Sequence, residues 1–271
     1  MKVVIFCGGL GLRLREAGPT IPKPMVPIGT KPILWHIMKY YAHFGHKDFV
    51  LCLGHRAEAI KEYFLTYDEA MTNDFVLSAG SKQVELLASD IHDWKITFLS
   101  TGLNATVGER LKSTEAAIGD DEVFLATYGD GLTDMPLPEM IETFEERDKA
   151  VCFLAARPRS YSFHTVAFKD GDLVQGFEDI TQSDLWVNAG FFVLRRSIFD
   201  VLEPGEDLLG PPLERLIERD EVVAYRYDGF WAPMDTLKDK SNLDALVDAG
   251  RPPWALWELG DERPAVATPA P

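Results

Sequence analysis

Residues 8–32 read GGLGLRLREAGPTIPKPMVPIGTKP, directly behind the apolar run KVVIFC (2–7) and leading into PILWHIMKYYAHFG (32–45). An apolar β-branched run, a glycine-rich turn and an amphipathic segment that opens on Pro and closes on Gly make a strand–loop–helix step. The loop gathers Arg13, Arg15, Lys23 and Lys31 beside bare backbone. In an open α/β sheet this loop lies at the carboxyl ends of the strands, where ligands bind. It therefore predicts both the fold and the place to look for a bound anion.

The same alternation continues outward. Strand-like runs are DFVLCLG (48–54), KITFLS (95–100), EVFLATYGD (122–130) and AVCFLAA (150–156), followed by HTVAF (164–168), LVQGF (173–177), LWVNAGFFVL (185–194) and EVVAYRYDG (221–229). The early runs are apolar throughout, as parallel strands covered on both faces must be. Helical segments lie between them at 57–71, 108–119 and 136–148, with a closing helix over 241–250. The expected fold is α/β: a Rossmann-like, doubly wound, mostly parallel mixed sheet flanked by helices. The KDGD turn (169–172) adds a small antiparallel extension within 150–194. The tail LGDERPAVATPAP (259–271) is rich in Pro and Ala, and disorder is expected there.

The chain of 271 residues carries 43 acidic against 27 basic residues, a formal net charge of −16. Such a surface argues against binding nucleic acid or an anionic membrane. An anionic ligand must be held by a local cluster of Lys and Arg or through a metal ion. No apolar run is long enough for a membrane span or a signal peptide, so a cytoplasmic protein is expected. Cys7, Cys52 and Cys152 each sit inside an apolar run without zinc spacing, and read as buried small hydrophobes. His36 and His43, seven apart on one helix face, read as packing residues.

Two familiar phosphate loops do not fit. A P-loop needs GxxxxGK[ST], and no Lys-Ser/Thr follows here. A dinucleotide fingerprint needs a third glycine where Leu14 stands. Backbone N–H groups around Gly8, Gly9 and Gly11 can still cradle an anion.

The whole pattern, GGLGLRL followed by IPKPMVPIGTKPILWHIMKYY, resembles the sugar-1-phosphate nucleotidylyltransferases. The glucose-1-phosphate cytidylyltransferase branch is the nearer match: GERLKS, FLATYGDGLTD, NAGFFVL, GFWAPMDTLKDK and PPWALWE follow in order. The resemblance covers about residues 1–258. It implies a single domain with a nucleotide-binding part over about 1–150 and an acceptor-binding part over about 150–258. It also implies transfer of a nucleotidyl group from an NTP, CTP by closeness of match, to a sugar 1-phosphate, with Mg²⁺ and release of pyrophosphate. Relatives assemble, so a homo-oligomer is expected.

Carried over residue by residue, Gly8, Gly9, Gly11 and Leu12 line the triphosphate. Arg13 and Lys23 face the charge that moves during transfer, and Arg110 is a further phosphate or nucleotide contact. Asp130 and Asp235 hold the metal. Tyr128, Gly129, Glu178 and Asn188 fall where the acceptor binds.

The chain departs from the pattern in three places. Leu12 replaces the family threonine, which bears on base choice. The stretch GFEDITQSDLWVNAG (176–190) has no lysine where the family grips the sugar phosphate. SFH (162–164) stands where the branch has Arg-Phe-Gly. Arg157, Arg159 and His164 are the candidates to compensate, and a different phosphorylated acceptor is the alternative. A catalytically silent nucleotide-binding regulator and a dehydrogenase are the rival classes. Retention of Arg13, Lys23, Asp130 and Asp235 speaks against the first, and the missing glycine against the second.

Overall fold

The computed structural model describes residues 1–9, 21–158, 164–179 and 184–258. A seven-stranded sheet forms the centre, in the order Val222–Tyr227, Val151–Ala156, Val187–Arg195, Val123–Tyr128, Lys2–Phe6, Asp48–Leu53, Lys95–Ser100. All of these run in one direction except Val187–Arg195, which pairs antiparallel on both sides. The inner strands are buried on both faces, as their unbroken apolar sequences require. KITFLS is only half covered, as befits the edge.

From the first strand the chain winds outward to Asp48–Leu53 and Lys95–Ser100. It then crosses back to lie on the other side of the first strand as Val123–Tyr128. The order thus reverses beside Lys2–Phe6, and the crevice at the carboxyl ends of a sheet opens at such a reversal. The two faces are covered by separate apolar clusters. One centres on Ile33–His43 and Leu137–Arg147, the other on Val107–Lys112, Phe199 and Pro211–Ile217.

Several expected elements change shape. The helix expected over 57–71 stops at Leu65, because the Asp68 side chain accepts from the Ala70 N–H and caps a separate turn, Glu69–Met71. The 108–119 segment is two helices, Val107–Lys112 and Glu115–Ile118; between them Ser113 and Thr114 hydroxyls donate to the Glu109 and Leu111 carbonyls. AVCFLAA is no part of an extension: it joins the central sheet. The small antiparallel extension is the hairpin His164–Lys169/Leu173–Asp179, turning through positive φ at Asp170 and Gly171. The closing helix starts earlier than expected, at Leu237, because Thr236 and Asp239 form a capping box.

The two histidines part company. His43, at the helix end, is exposed, whereas His36 is buried. Trp254 Nε1–H donates to His36 Nδ1 (3.2 Å), so the proton sits on Nε2, which donates to the Ile28 carbonyl (3.1 Å). Burial holds its pKa down to about 4, and the ring stays neutral. No described helix is long and apolar enough to cross a membrane.

Candidate active site

Lys23 opens a short turn, Lys23–Met25, that follows Pro22 and closes with Met25 N–H on the Pro22 carbonyl (2.8 Å). Pro24 is buried against Gly129, where a side chain would meet the Phe6 carbonyl at 3.0 Å. This packing fixes the Lys23 ammonium at the strand ends. It donates to Asp130 Oδ2 (2.6 Å) and to Asp235 Oδ1 (2.7 Å).

The two aspartates lie far apart in sequence. They meet because Gly131–Thr133 and Trp231–Pro233 pair antiparallel, Gly131 against Pro233, with the Met234 N–H on the Asp130 carbonyl (2.8 Å). Burial opposes the charge on Lys23, but the carboxylates of Asp130 and Asp235 outweigh it and raise the ammonium above its ordinary pKa. Two carboxylates against one ammonium leave the cluster net negative.

Toward the first strand from this cluster lies Arg110, 3 % exposed. Its Nη1 donates to Thr101 Oγ1 (2.7 Å) and Leu53 O (3.4 Å), and its Nη2 to Leu103 O (3.3 Å). These acceptors are all neutral. Burial lowers its pKa, and an anion that reached the guanidinium would offset the cost of dehydrating it. The guanidinium lies against Gly8, where any Cβ would fall 2.1 Å from Arg110 Cζ, so glycine is required for backbone and arginine to share this space. Arg110 is thus a buried residue and not a solvated arginine on the outer face of its helix.

On the other side a cavity of about 340 Å³ is lined by Tyr128, Asp130, Asn188, Trp231 and Asp235. Tyr128 lies over Gly190, whose positive φ and missing Cβ make room for the ring. Burial pushes the Tyr128 phenol up, so it stays protonated. Asn188 Oδ1 accepts from the Gly190 N–H (2.9 Å), while its Nδ2 is buried without a hydrogen-bond partner. An orphaned donor in a cavity wall suits a ligand oxygen. Trp231 is a packing residue: it is 8 % exposed and donates from Nε1 to the Ala189 carbonyl (3.0 Å).

Gly8 and Gly9 lead from the first strand, and Gly129 crosses its end with its N–H on the Phe6 carbonyl (3.2 Å). Gly11, Leu12, Arg13 and Arg159 lie outside the described residues, as do the side chains of His164 and Glu178 and the tail 259–271. Thr101, which accepts from the Arg110 guanidinium, went unnoticed in the sequence, and nothing local marks it.

The cysteines are buried, and burial raises every thiol, Cys52 and Cys152 to about 12; none is a nucleophile at neutral pH. Among the described residues no group of three His, Cys, Asp or Glu side chains converges on a metal position. Asp130 and Asp235 do suit a hard divalent cation that draws the rest of its shell from phosphate and water.

A family model described as nucleotidyl transferase matches residues 2–249. The glucose-1-phosphate cytidylyltransferase of Salmonella typhimurium is 39 % identical over 260 residues, covering 95 % of this chain and all of that protein. The UTP–glucose-1-phosphate uridylyltransferase 2 of Staphylococcus saprophyticus is 27 % identical, over 91 % of this chain and 96 % of its own length. A solved structure of UDP-glucose pyrophosphorylase complexed with UDP-glucose shares the fold, with a TM-score of 0.68 at 17 % identity, over 92 % of this chain and 99 % of that one. With the reversed strand order and the Lys23–Asp130–Asp235 cluster at its crevice, the chain belongs to the nucleotidyl transferase family.

Proposed function

We propose that this chain transfers the cytidylyl group of CTP to the phosphate of glucose 1-phosphate, giving CDP-glucose and pyrophosphate. End-to-end identity with a glucose-1-phosphate cytidylyltransferase, well above that with the uridylyltransferase, supports the base and the sugar. The observation that carries the chemistry is the Lys23 ammonium, held between two carboxylates at the sheet edge that also carries the buried Arg110.

A phosphate oxygen of the sugar attacks the α-phosphorus in line. The new P–O bond forms as the bond to the β-phosphate breaks, and pyrophosphate leaves. The nucleophile is already ionised, so the site needs placement and positive charge rather than a side-chain nucleophile. Gly8, Gly9, Gly11 and Leu12 carry the triphosphate, and Arg110 and Arg13 bind its phosphates. Lys23 stands where the α-phosphate reacts. Tyr128, Gly129 and Asn188 orient the sugar.

Asp130 and Asp235 would hold Mg²⁺, which when bound neutralises phosphate charge. The same reading carries a cytoplasmic setting and a homo-oligomer. Phe75, Val76, Leu77 and Val84 are exposed on a two-stranded hairpin, and such a ribbon needs cover.

The test is pyrophosphate release with Mg²⁺, crossing CTP, UTP, dTTP, ATP and GTP against glucose 1-phosphate and other phosphorylated acceptors. Release is expected with CTP and glucose 1-phosphate. Release only with a different acceptor would reassign the substrate. A protein that binds nucleotide and releases nothing with any pair would be a regulator.

A further inference from the structure

We propose that Arg157 and Arg226, gathered on the indole of Trp186, bind the phosphate of the acceptor; the inference rests on the transfer proposed above. That transfer brings two anions to one edge, a triphosphate and a phosphomonoester. Lys23 is already shared by two carboxylates, and Arg110 lies on the far side, under Gly8. The cavity wall of Tyr128 and Asn188 offers hydrogen bonds but no charge.

Register shows where charge is nearest. Asn188 pairs with Ala155, and Ala155 pairs with Arg226, so these three side chains share one face of the sheet. Ala155, between them, carries only a methyl group. Arg157 follows the Val151–Ala156 strand at the same edge, beside Trp186, which immediately precedes the strand that carries Asn188. Both guanidiniums lie over the Trp186 ring, Arg157 at 5.1 Å and Arg226 at 5.6 Å from its centroid.

A guanidinium held on an indole is oriented before the ligand arrives, and its planar fork matches phosphate oxygens. The present partners of Arg157 are exchangeable. Its Nη2 meets Asp184 Oδ1 at 3.3 Å and its Nε faces Asp228 Oδ1 at 3.2 Å, and these aspartates are 98 % and 64 % exposed. Such pairs are weak and screened, and a phosphate dianion competes with them. Arg157 Nε is buried without an aligned hydrogen bond, as is Asn188 Nδ2. Two donors without an aligned hydrogen bond therefore lie toward the same sheet edge, where the guanidiniums of Arg157 and Arg226 meet Trp186.

The test is steady-state pyrophosphate release by Arg157→Gln, Arg226→Gln and the double variant, varying glucose 1-phosphate at saturating CTP and the reverse. Each single change is expected to raise the KM for glucose 1-phosphate about tenfold, and the double change further. The KM for CTP should stay within twofold and the melting temperature should be unchanged. Arg157→Lys should restore part of the loss. An active wild type whose acceptor KM is unmoved in the double variant would overturn this inference alone. A wild type that is inactive with every nucleotide and sugar 1-phosphate would overturn the proposed transfer and this inference with it.

Discussion

Arg110 and Arg157 are guanidiniums at the same edge of one sheet, yet they are held in different ways. Arg110 is 3 % exposed and bonded to neutral oxygens; the Arg157 side chain is 33 % exposed and lies against two solvent-facing aspartates. Arg110 has met its desolvation cost during folding and cannot relax into water. Arg157 stays hydrated and lightly paired. The first arrangement suits an anion whose place never changes, which in the transfer proposed above is the triphosphate. The second suits the acceptor phosphate proposed above, because exposed cations can be moved or replaced without disturbing the core.

Lys23 belongs to both sides, and its replacement is the most severe way to break the comparison. Lys23→Met is expected to lower kcat by roughly 10²–10³-fold, the usual loss when one preorganised group facing developing charge is removed. Both KM values should change only a fewfold. A variant with wild-type kcat would show that the ammonium merely neutralises Asp130 and Asp235.

Gly190→Ala sharpens the comparison from the acceptor side. The residue has φ of 80°, and a Cβ there would lie 2.2 Å from the Tyr128 ring. Backbone strain of about 1–2 kcal/mol adds to an overpacking cost of about 1–3 kcal/mol. The melting temperature should fall by several degrees. Because Tyr128 must move, the KM for glucose 1-phosphate should rise about tenfold while that for CTP holds. An equal rise in both constants would mean that Tyr128 serves the nucleotide as well.

This division explains what could be read in advance. The central strands were legible because strands buried on both faces are apolar without interruption, as in VVIF and VLCL. The hairpin Phe75–Ser78/Gln83–Leu86 was not, because every residue in it is exposed and no burial pattern marks it. Pro211–Ile217 was missed because a short helix opening on two prolines looks like a turn.

In the site, Lys23, Asp130 and Asp235 were named through motif resemblance and do come together, by way of a ribbon only three residues long on each side that no local pattern reveals. The Trp186 cluster was invisible, because its members lie in or at the ends of three different strands and meet only through register.

The gentlest probe acts on the nucleotide side, through Thr101. Its Oγ1 accepts from Arg110 Nη1 (2.7 Å) and donates to the Leu53 carbonyl (2.9 Å), so one hydroxyl fixes the guanidinium to the sheet edge. Valine keeps the shape and removes both bonds. Arg110 retains the weaker contacts to Leu53 and Leu103, at 3.4 and 3.3 Å, and the net loss should be about 1 kcal/mol. If that loss falls on the placement of Arg110, the KM for CTP rises about fivefold, kcat and the KM for glucose 1-phosphate stay put, and Thr101→Ser restores the wild-type value. If Arg110 only supports the fold, the melting temperature falls and the CTP constant does not move. The serine variant separates these outcomes, because it returns the hydroxyl without the methyl group. Only a placement effect is reversed by the hydroxyl alone in the kinetic constant.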